Sequence, residues 1–387
     1  MNVTSFPRSK TAENYGIVCF SHLRWNFVFQ RPQHLLSRFA KKRDVLFIEE
    51  PMRYDGAGEF VINETKEGVR VAVPHLPHGI SQDDEQALLR KLVTGLIEDQ
   101  PFENYVAWYY TPMMLSWSEH LKPVATVYDC MDELSAFKNA PTELQTREAE
   151  LFGLSDLVFT GGRSLYEVKR EQHEAVYCFP SSIDVKHFAQ ALDIGEDRED
   201  QREIPHPRVG FFGVIDERTD IELLRQIAER RPDWQFVMIG PVVKISEEDL
   251  PRQENIHYLG GKSYDELPEY IAGWDVAMMP FAINESTRFI SPTKTPEYLA
   301  AGRPVVSTPI RDVVRPYQEI GLVRIASTAD EFVEAIELAL EEDSTERRAK
   351  ADEFLSTMSW ERTYEAMSDL IDEAIAANTE QAAGATV

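Results

Sequence analysis

Short apolar, β-branched runs alternate with amphipathic stretches along this chain, and the alternation runs its course twice. In the first half the strand-like runs are 16–20, 44–48, 69–73, 105–109, 124–128, 156–160 and 175–179, with helix-like segments at 32–42, 82–99, 141–154 and 162–173. Strands that are apolar throughout must bury both faces. Separated by helices, they predict an α/β fold whose parallel sheet is covered on both sides.

The segment 193–207, DIGEDREDQREIPHP, breaks the pattern: it is densely charged, nearly free of apolar residues, and has two prolines near its end. It reads as a linker, with a solvated loop inside one domain as the alternative. Beyond it the alternation restarts, with strands expected at 208–212, 234–239, 256–259, 275–279, 304–307 and 322–325 and helices at 220–231, 264–273, 296–301 and 329–341. A chain of 387 residues suits two domains. The expectation is therefore two Rossmann-like, doubly wound domains, 1–195 and 208–358, facing a central cleft where the carboxyl ends of their strands receive ligands. A helix at 359–378 and a flexible tail at 379–387 follow.

Net charge narrows the function. At −26 the chain lacks the basic face a nucleic-acid binder needs, and broad attachment to anionic lipid is disfavoured. Cys19, Cys130 and Cys178 are far apart with no CxxC pair, which fits reduced thiols and gives no zinc signature. Residues 1–15 are polar, without the apolar core of a signal peptide, and no apolar run approaches 18 residues. The expected location is the cytoplasm, with at most peripheral contact at the inner face of a membrane.

The most informative stretch is 280–309, PFAINESTRFISPTKTPEYLAAGRPVVSTP. A strand empties into a polar loop, Thr295 suits an N-cap, Pro296 the first helical position and Gly302 the residue after the helix. Free N–H groups and a partial positive charge at such a helix start suit a diphosphate. Lys294 would add a full charge, and Glu297 could accept hydrogen bonds from two neighbouring ribose hydroxyls. Dipole compensation by Glu297 and simple solvation of Lys294 are the competing uses.

This stretch resembles the donor site of family 4 glycosyltransferases, and more closely that of bacterial transferases for surface polysaccharide or teichuronic acid, with PxKxxEYLAAGxPVV. The phrases WNFVFQRPQHLL and VYDCMDELSAF extend the resemblance over most of the chain. It implies a GT-B fold whose final helix crosses back to the first domain, a nucleotide-sugar donor (UDP-sugar favoured over GDP-sugar), retention of configuration, and no required metal or cofactor. Carried over, Glu297 holds the ribose and Lys294 the diphosphate, with Ser291 and Thr293 beside them. One departure stands out. The family has a second Glu eight residues upstream, where this chain has Phe289; Asn284, Glu285 and Arg288 are the candidate replacements at the donor.

A second donor element is VGFFGVIDERTDIELL, in which Gly213 permits close approach and Arg218 matches the family's basic position. Arg218 could equally pair with Asp216 or Glu222. On the acceptor side, SHLRWNFVFQRPQHLL follows the first strand, with Trp25, Arg31 and His34 as candidates; packing is the alternative for the aromatics. Asp129 and Asp132, past another strand, suit acceptor hydroxyls or positive charge at the anomeric carbon, and capping explains one of them as well. Arg218, Lys294 and Asp129 are the expected catalytic groups, the first two stabilising the departing diphosphate. The partners expected are a nucleotide-sugar and a glycan or lipid-linked acceptor, and the last helix offers a homodimer surface. A nucleotide-sugar epimerase and a non-catalytic sugar-nucleotide-binding protein are the rival readings. A dehydrogenase is disfavoured because no GxGxxG follows the first strand.

Overall fold

The computed structural model describes residues 15–384, so the expectations for 1–14 and 385–387 lie outside the described residues. The first half forms strands β1 (Tyr15–Phe20), β2 (Val45–Ile48), β3 (Met52–Tyr54), β4 (Glu59–Glu64), β5 (Val69–Pro77), β6 (Asn104–Tyr109), β7 (Ala125–Cys130), β8 (Leu157–Thr160) and β9 (Val176–Cys178). They make a nine-stranded sheet in the order β3-β5-β2-β1-β6-β7-β8-β9, parallel except for β4, which runs antiparallel along β5. The second half forms β10 (Arg208–Phe212), β11 (Gln235–Ile239), β12 (Ile256–Tyr258), β13 (Val276–Met279), β14 (Val305–Ser307) and β15 (Val323–Ile325), all parallel, in the order β12-β11-β10-β13-β14-β15. In each sheet the strand order reverses direction beside the first strand, between β1 and β6 and between β10 and β13. The loops after those strands diverge there and leave a crevice.

The central strands β1, β2, β7 and β10 are buried at every residue, which accounts for their largely apolar runs. β4 was missed in the sequence for the opposite reason. Its EFVINE is largely exposed and shows no strong alternation.

The terminal helix Trp360–Gly384 lays Trp360, Tyr364, Met367 and Ile371 into the core of the first domain. Tyr15 donates to Asp372 at 2.7 Å, and Asn378 donates to Asp156 and the Val124 carbonyl at 3.0 Å each. The expected crossover is present, and the helix runs on to Gly384, through most of what was expected to be a flexible tail.

The charged segment 193–207 is not a free linker. Gln201 is fully buried and bonds Trp274 and the Tyr270 carbonyl. Asp197 pairs with Arg208 at 2.8 Å, and Arg198 with Glu269 at 3.0 Å. Ile183, Phe188, Ala191 and Ile204 already belong to the second hydrophobic core. The chain therefore enters the second core soon after β9, earlier than the expected boundary at 195, and Asp197, Arg198 and Asp200 form ion pairs with residues of the second domain.

Candidate functional site

A cleft of about 1200 Å³ opens between the carboxyl edges of the two sheets. On its second-domain side, Gly213 follows β10 and Gly240 follows β11, both at φ +143°, where side chains are strained. A Cβ on Gly213 would lie 2.2 Å from Cε of Lys294, and one on Gly240 would lie 1.8 Å from the Gly213 carbonyl oxygen. The two glycines thus let two backbones and a lysine side chain converge at the reversal point of the sheet.

That lysine opens the helix Lys294–Ala300. Its cap is Thr293, without a side-chain capping bond, which corrects the expectation of Thr295 at the cap and Pro296 at the first position. Thr295 is instead fully buried, its hydroxyl 3.5 Å from the Met279 sulfur. Gly302 adopts φ +72° just past the helix, the left-handed turn expected there.

Among the described residues Lys294 makes no ion pair; its Nζ lies 5.9 Å from the ring centres of Phe211 and Phe212. Burial lowers its pKa, and the charge of Glu297 opposes that shift. Glu297 is 7% exposed, and among the described residues its Oε2 has no hydrogen-bond partner. Burial raises its pKa to about 7, against the pull of Lys294 and a hydrogen bond from Thr293. A carboxyl desolvated without a full set of donors is a costly arrangement for an isolated fold. Arg218 lines the same cleft and grips Asp216 through Nε and Nη2 at 2.7–3.1 Å. The pairing considered as its alternative use is present, and the residue still faces the cleft. Ser291 and Thr293 also line the cleft.

Asn284, Glu285 and Arg288 do not line it. Asn284 caps the short turn Glu285–Thr287, and Glu285 and Arg288 pair at 3.5 Å in largely exposed positions. The structure thus places all three candidates outside the cleft lining. Phe289 packs against the core of the first domain. The position that carries the family's upstream Glu is used here as an apolar bridge between the domains.

On the first-domain side Trp25, Arg31, His34 and Asp132 line the cleft, and Asp129 does not. Asp129 is 0% exposed and takes a forked pair from Arg31 through Nε and Nη2 at 2.8–3.0 Å. The third nitrogen of Arg31 donates to the Phe179 carbonyl at 2.7 Å. Asp129 is thus a buried counter-ion of Arg31 set back from the cleft lining, and three of the five N–H groups of Arg31 are engaged. The Trp25 ring packs edge-on against Phe47, 5.1 Å between centres. His34 stacks on Trp360 at 4.6 Å, and burial with the nearby Arg38 charge depresses its pKa well below the ordinary value.

Asp132 differs from its neighbour. No hydrogen bond or ion pair engages its carboxylate among the described residues, and burial raises its pKa to about 6, opposed by Arg218 and Arg31. The next residue, Glu133, is anchored by the buried Lys169, whose Nζ lies 2.8 Å from both Glu133 and Glu148. That triad fixes the loop presenting Asp132.

Sequence reasoning passed over Gly240, Tyr264 and the 63–67 turn, all at the cleft. Gly240 carried a readable signal, since VMIGPV repeats the strand-then-glycine pattern of GFFGVI. Tyr264 carried none. It stacks on His187 at 4.2 Å and meets Phe29 of the other domain at 4.8 Å, and only the folded arrangement brings these rings together. No group of three or more His, Cys, Asp or Glu side chains among the described residues is arranged to hold a metal.

Two doubly wound domains, a shared cleft and a crossing terminal helix define the GT-B class of fold. Residues 206–342 match the family model described as glycosyl transferases group 1. That match covers about a third of the chain and includes the motifs around Glu297. The putative teichuronic acid biosynthesis glycosyltransferase TuaH of Bacillus subtilis (strain 168) is 25% identical over 228 residues, 53% of this chain and 56% of that protein. The chain thus spans little more than half the length of the curated relative it matches.

Among solved structures, sucrose-phosphate synthase from Thermosynechococcus elongatus superposes with a TM-score of 0.70 at 15% identity, covering 94% of this chain and 100% of the other. Anabaena HepE in complex with UDP-glucose gives a TM-score of 0.62 at 13% identity, covering 92% and 99%. The E. coli trehalose-6-phosphate protein bound with UDP-2-fluoro glucose gives 0.68 at 12%, covering 92% and 98%. At these identities the likeness is one of fold. No helix among the described residues is long and apolar enough to cross a membrane.

Proposed function

We propose that the chain transfers a glycosyl residue from a nucleoside diphosphate sugar, held by the second-domain side of the cleft, to a hydroxyl of a saccharide acceptor, free or lipid-linked. The observation that carries this reading is the pairing of a buried, under-bonded Glu297 with an unpaired Lys294 beside Gly213. Ribose hydroxyls supply the donors Glu297 lacks, and the diphosphate supplies the negative charge Lys294 lacks. UDP is the favoured nucleotide; the HepE and E. coli structures named above hold UDP-glucose and UDP-2-fluoro glucose, which supports the choice.

In the step itself, the bond from the anomeric carbon to the diphosphate oxygen breaks, and its electron pair leaves with the diphosphate. Lys294 and Arg218 stabilise the charge that develops, in a partly water-excluded site. The acceptor oxygen bonds to the anomeric carbon on the same face, and its proton passes to the departing diphosphate. Retention comes from the family resemblance, as does the absence of a required metal; the anomeric coupling of the product, read by NMR, tests the first. Catalysis in the presence of a strong chelator tests the second.

Calorimetry with UDP, GDP and ADP tests the donor site. Selective binding of UDP that Lys294→Ala and Glu297→Ala both weaken is the expected result. A folded protein that binds no nucleoside diphosphate would overturn the reading.

A further inference from the structure

The first-domain side of the cleft has little positive charge to spare. Of its lining cations, Arg31 is consumed by Asp129 and Arg38 by Glu361, at 3.2 Å, and the His34 carbonyl, at 2.7 Å. Lys66, largely exposed, lies 3.8 Å from Glu67. Glu49 is itself matched by Arg24 at 2.9 Å and by the Trp25 amide. What remains toward the ligand is Glu64, Glu67 and Asp132 against that single lysine. The free cations of the cleft, Lys294 and part of Arg218, lie on the opposite side, where the diphosphate would occupy them.

The same side holds out an aromatic ring. Phe27 is 54% exposed and lines the cleft. An exposed apolar ring within a cleft gains from being covered by a ligand's apolar face. The C–H face of a pyranose is apolar and weakly positive, and it fits the negative face of such a ring. Asp132, with its carboxylate unengaged, offers acceptors for the hydroxyls on the sugar's edge.

We propose that the acceptor is an uncharged saccharide, stacked on Phe27 and hydrogen-bonded by Asp132, and that sugar phosphates and uronates are rejected. The inference rests on the glycosyl-transfer reading and names the acceptor class of that site. A sugar phosphate would meet the carboxylates of this side with only Lys66 to receive it, itself beside Glu67. Burying an anion beside like charge without a partner is strongly disfavoured.

The test uses the full chain and three matched sets of acceptors: methyl glycosides of glucose, galactose and N-acetylglucosamine, their 6-phosphates, and their 6-carboxylates. UDP binding is measured first by calorimetry, and products with UDP-glucose, UDP-galactose and UDP-N-acetylglucosamine are then followed by mass spectrometry. Neutral acceptors are expected to exceed both charged sets by at least about ten-fold in kcat/KM. Phe27→Ala should raise the acceptor KM about ten-fold while UDP affinity is unchanged. Glu67→Lys should narrow the discrimination against phosphates. Faster transfer to the phosphates or uronates overturns the proposal, and so does UDP binding without product on any neutral acceptor. Failure to bind UDP would instead sink the donor-site reading, so the two failures are distinguishable.

Discussion

The two sides of the cleft handle their charges in opposite ways. On the first-domain side the strongest pair, Arg31 with Asp129, is closed on itself, both partners buried at 1% and 0% exposure. On the second-domain side Glu297 and Lys294 are left with bonds unmade. A satisfied buried pair holds a fold together, whereas a desolvated carboxyl lacking donors weakens the empty protein and gains from a ligand. The first arrangement belongs to architecture and the second to binding.

The sharpest way to break that contrast is Arg31→Met, which leaves Asp129 as an uncompensated buried charge. It should cost about 3–5 kcal/mol of unfolding free energy, read by urea denaturation. A variant as stable as the parent would show that the pair is not structural. Next in size, Lys294→Ala and Glu297→Ala should each weaken UDP binding by about 2–3 kcal/mol with little loss of stability. If their melting temperatures fall with their affinities, the division between the two sides fails.

The raised pKa of Glu297 sharpens the comparison further. A carboxyl whose folded pKa lies above its unfolded value stabilises the fold below the unfolded pKa, and that stability is lost as pH rises toward 7. Without nucleotide, Glu297→Gln should therefore gain about 2–4 °C in melting temperature over the parent at pH 8 and almost nothing at pH 4. Ribose hydroxyls favour the ionised form, so UDP binding should tighten from pH 6 to pH 8 more in the parent than in Glu297→Gln. Identical pH profiles would remove the carboxyl from the site. Smallest of all, Glu285→Ala and Arg288→Ala should change stability by less than about 0.5 kcal/mol and leave UDP affinity untouched, since both side chains are largely exposed and neither lines the cleft.

How readable each side was in the sequence follows from the same contrast. The second-domain elements lie close along the chain: Lys294 and Glu297 are three residues apart on one short helix, so local rules bring them together. Asp129 and Asp132 look alike as a pair of carboxylates at a strand end. What separates them is Arg31, 98 positions away in the chain, and no local pattern reveals that partner. The alternating strands were legible because burial on both faces writes a continuous apolar run. β4 was not, because an exposed edge strand needs no such run. The segment 193–207 misled for an electrostatic reason: dense charge reads as solvent exposure, but Lys262, Glu266, Glu269 and Arg208 are placed to receive it.

The crossover helix has a consequence for how the molecule is made. Trp360, Tyr364, Met367 and Ile371 belong to the core of the first domain, yet they are synthesised after the whole of the second. The domain that emerges first from the ribosome must wait, with an apolar face bare, until translation has passed Ile371. A nascent chain stalled at residue 359 should therefore be cut readily by protease within residues 15–180, and one stalled far enough beyond Gly384 for the helix to clear the exit tunnel should resist. Equal resistance in both would mean that the first domain closes its core without its last piece.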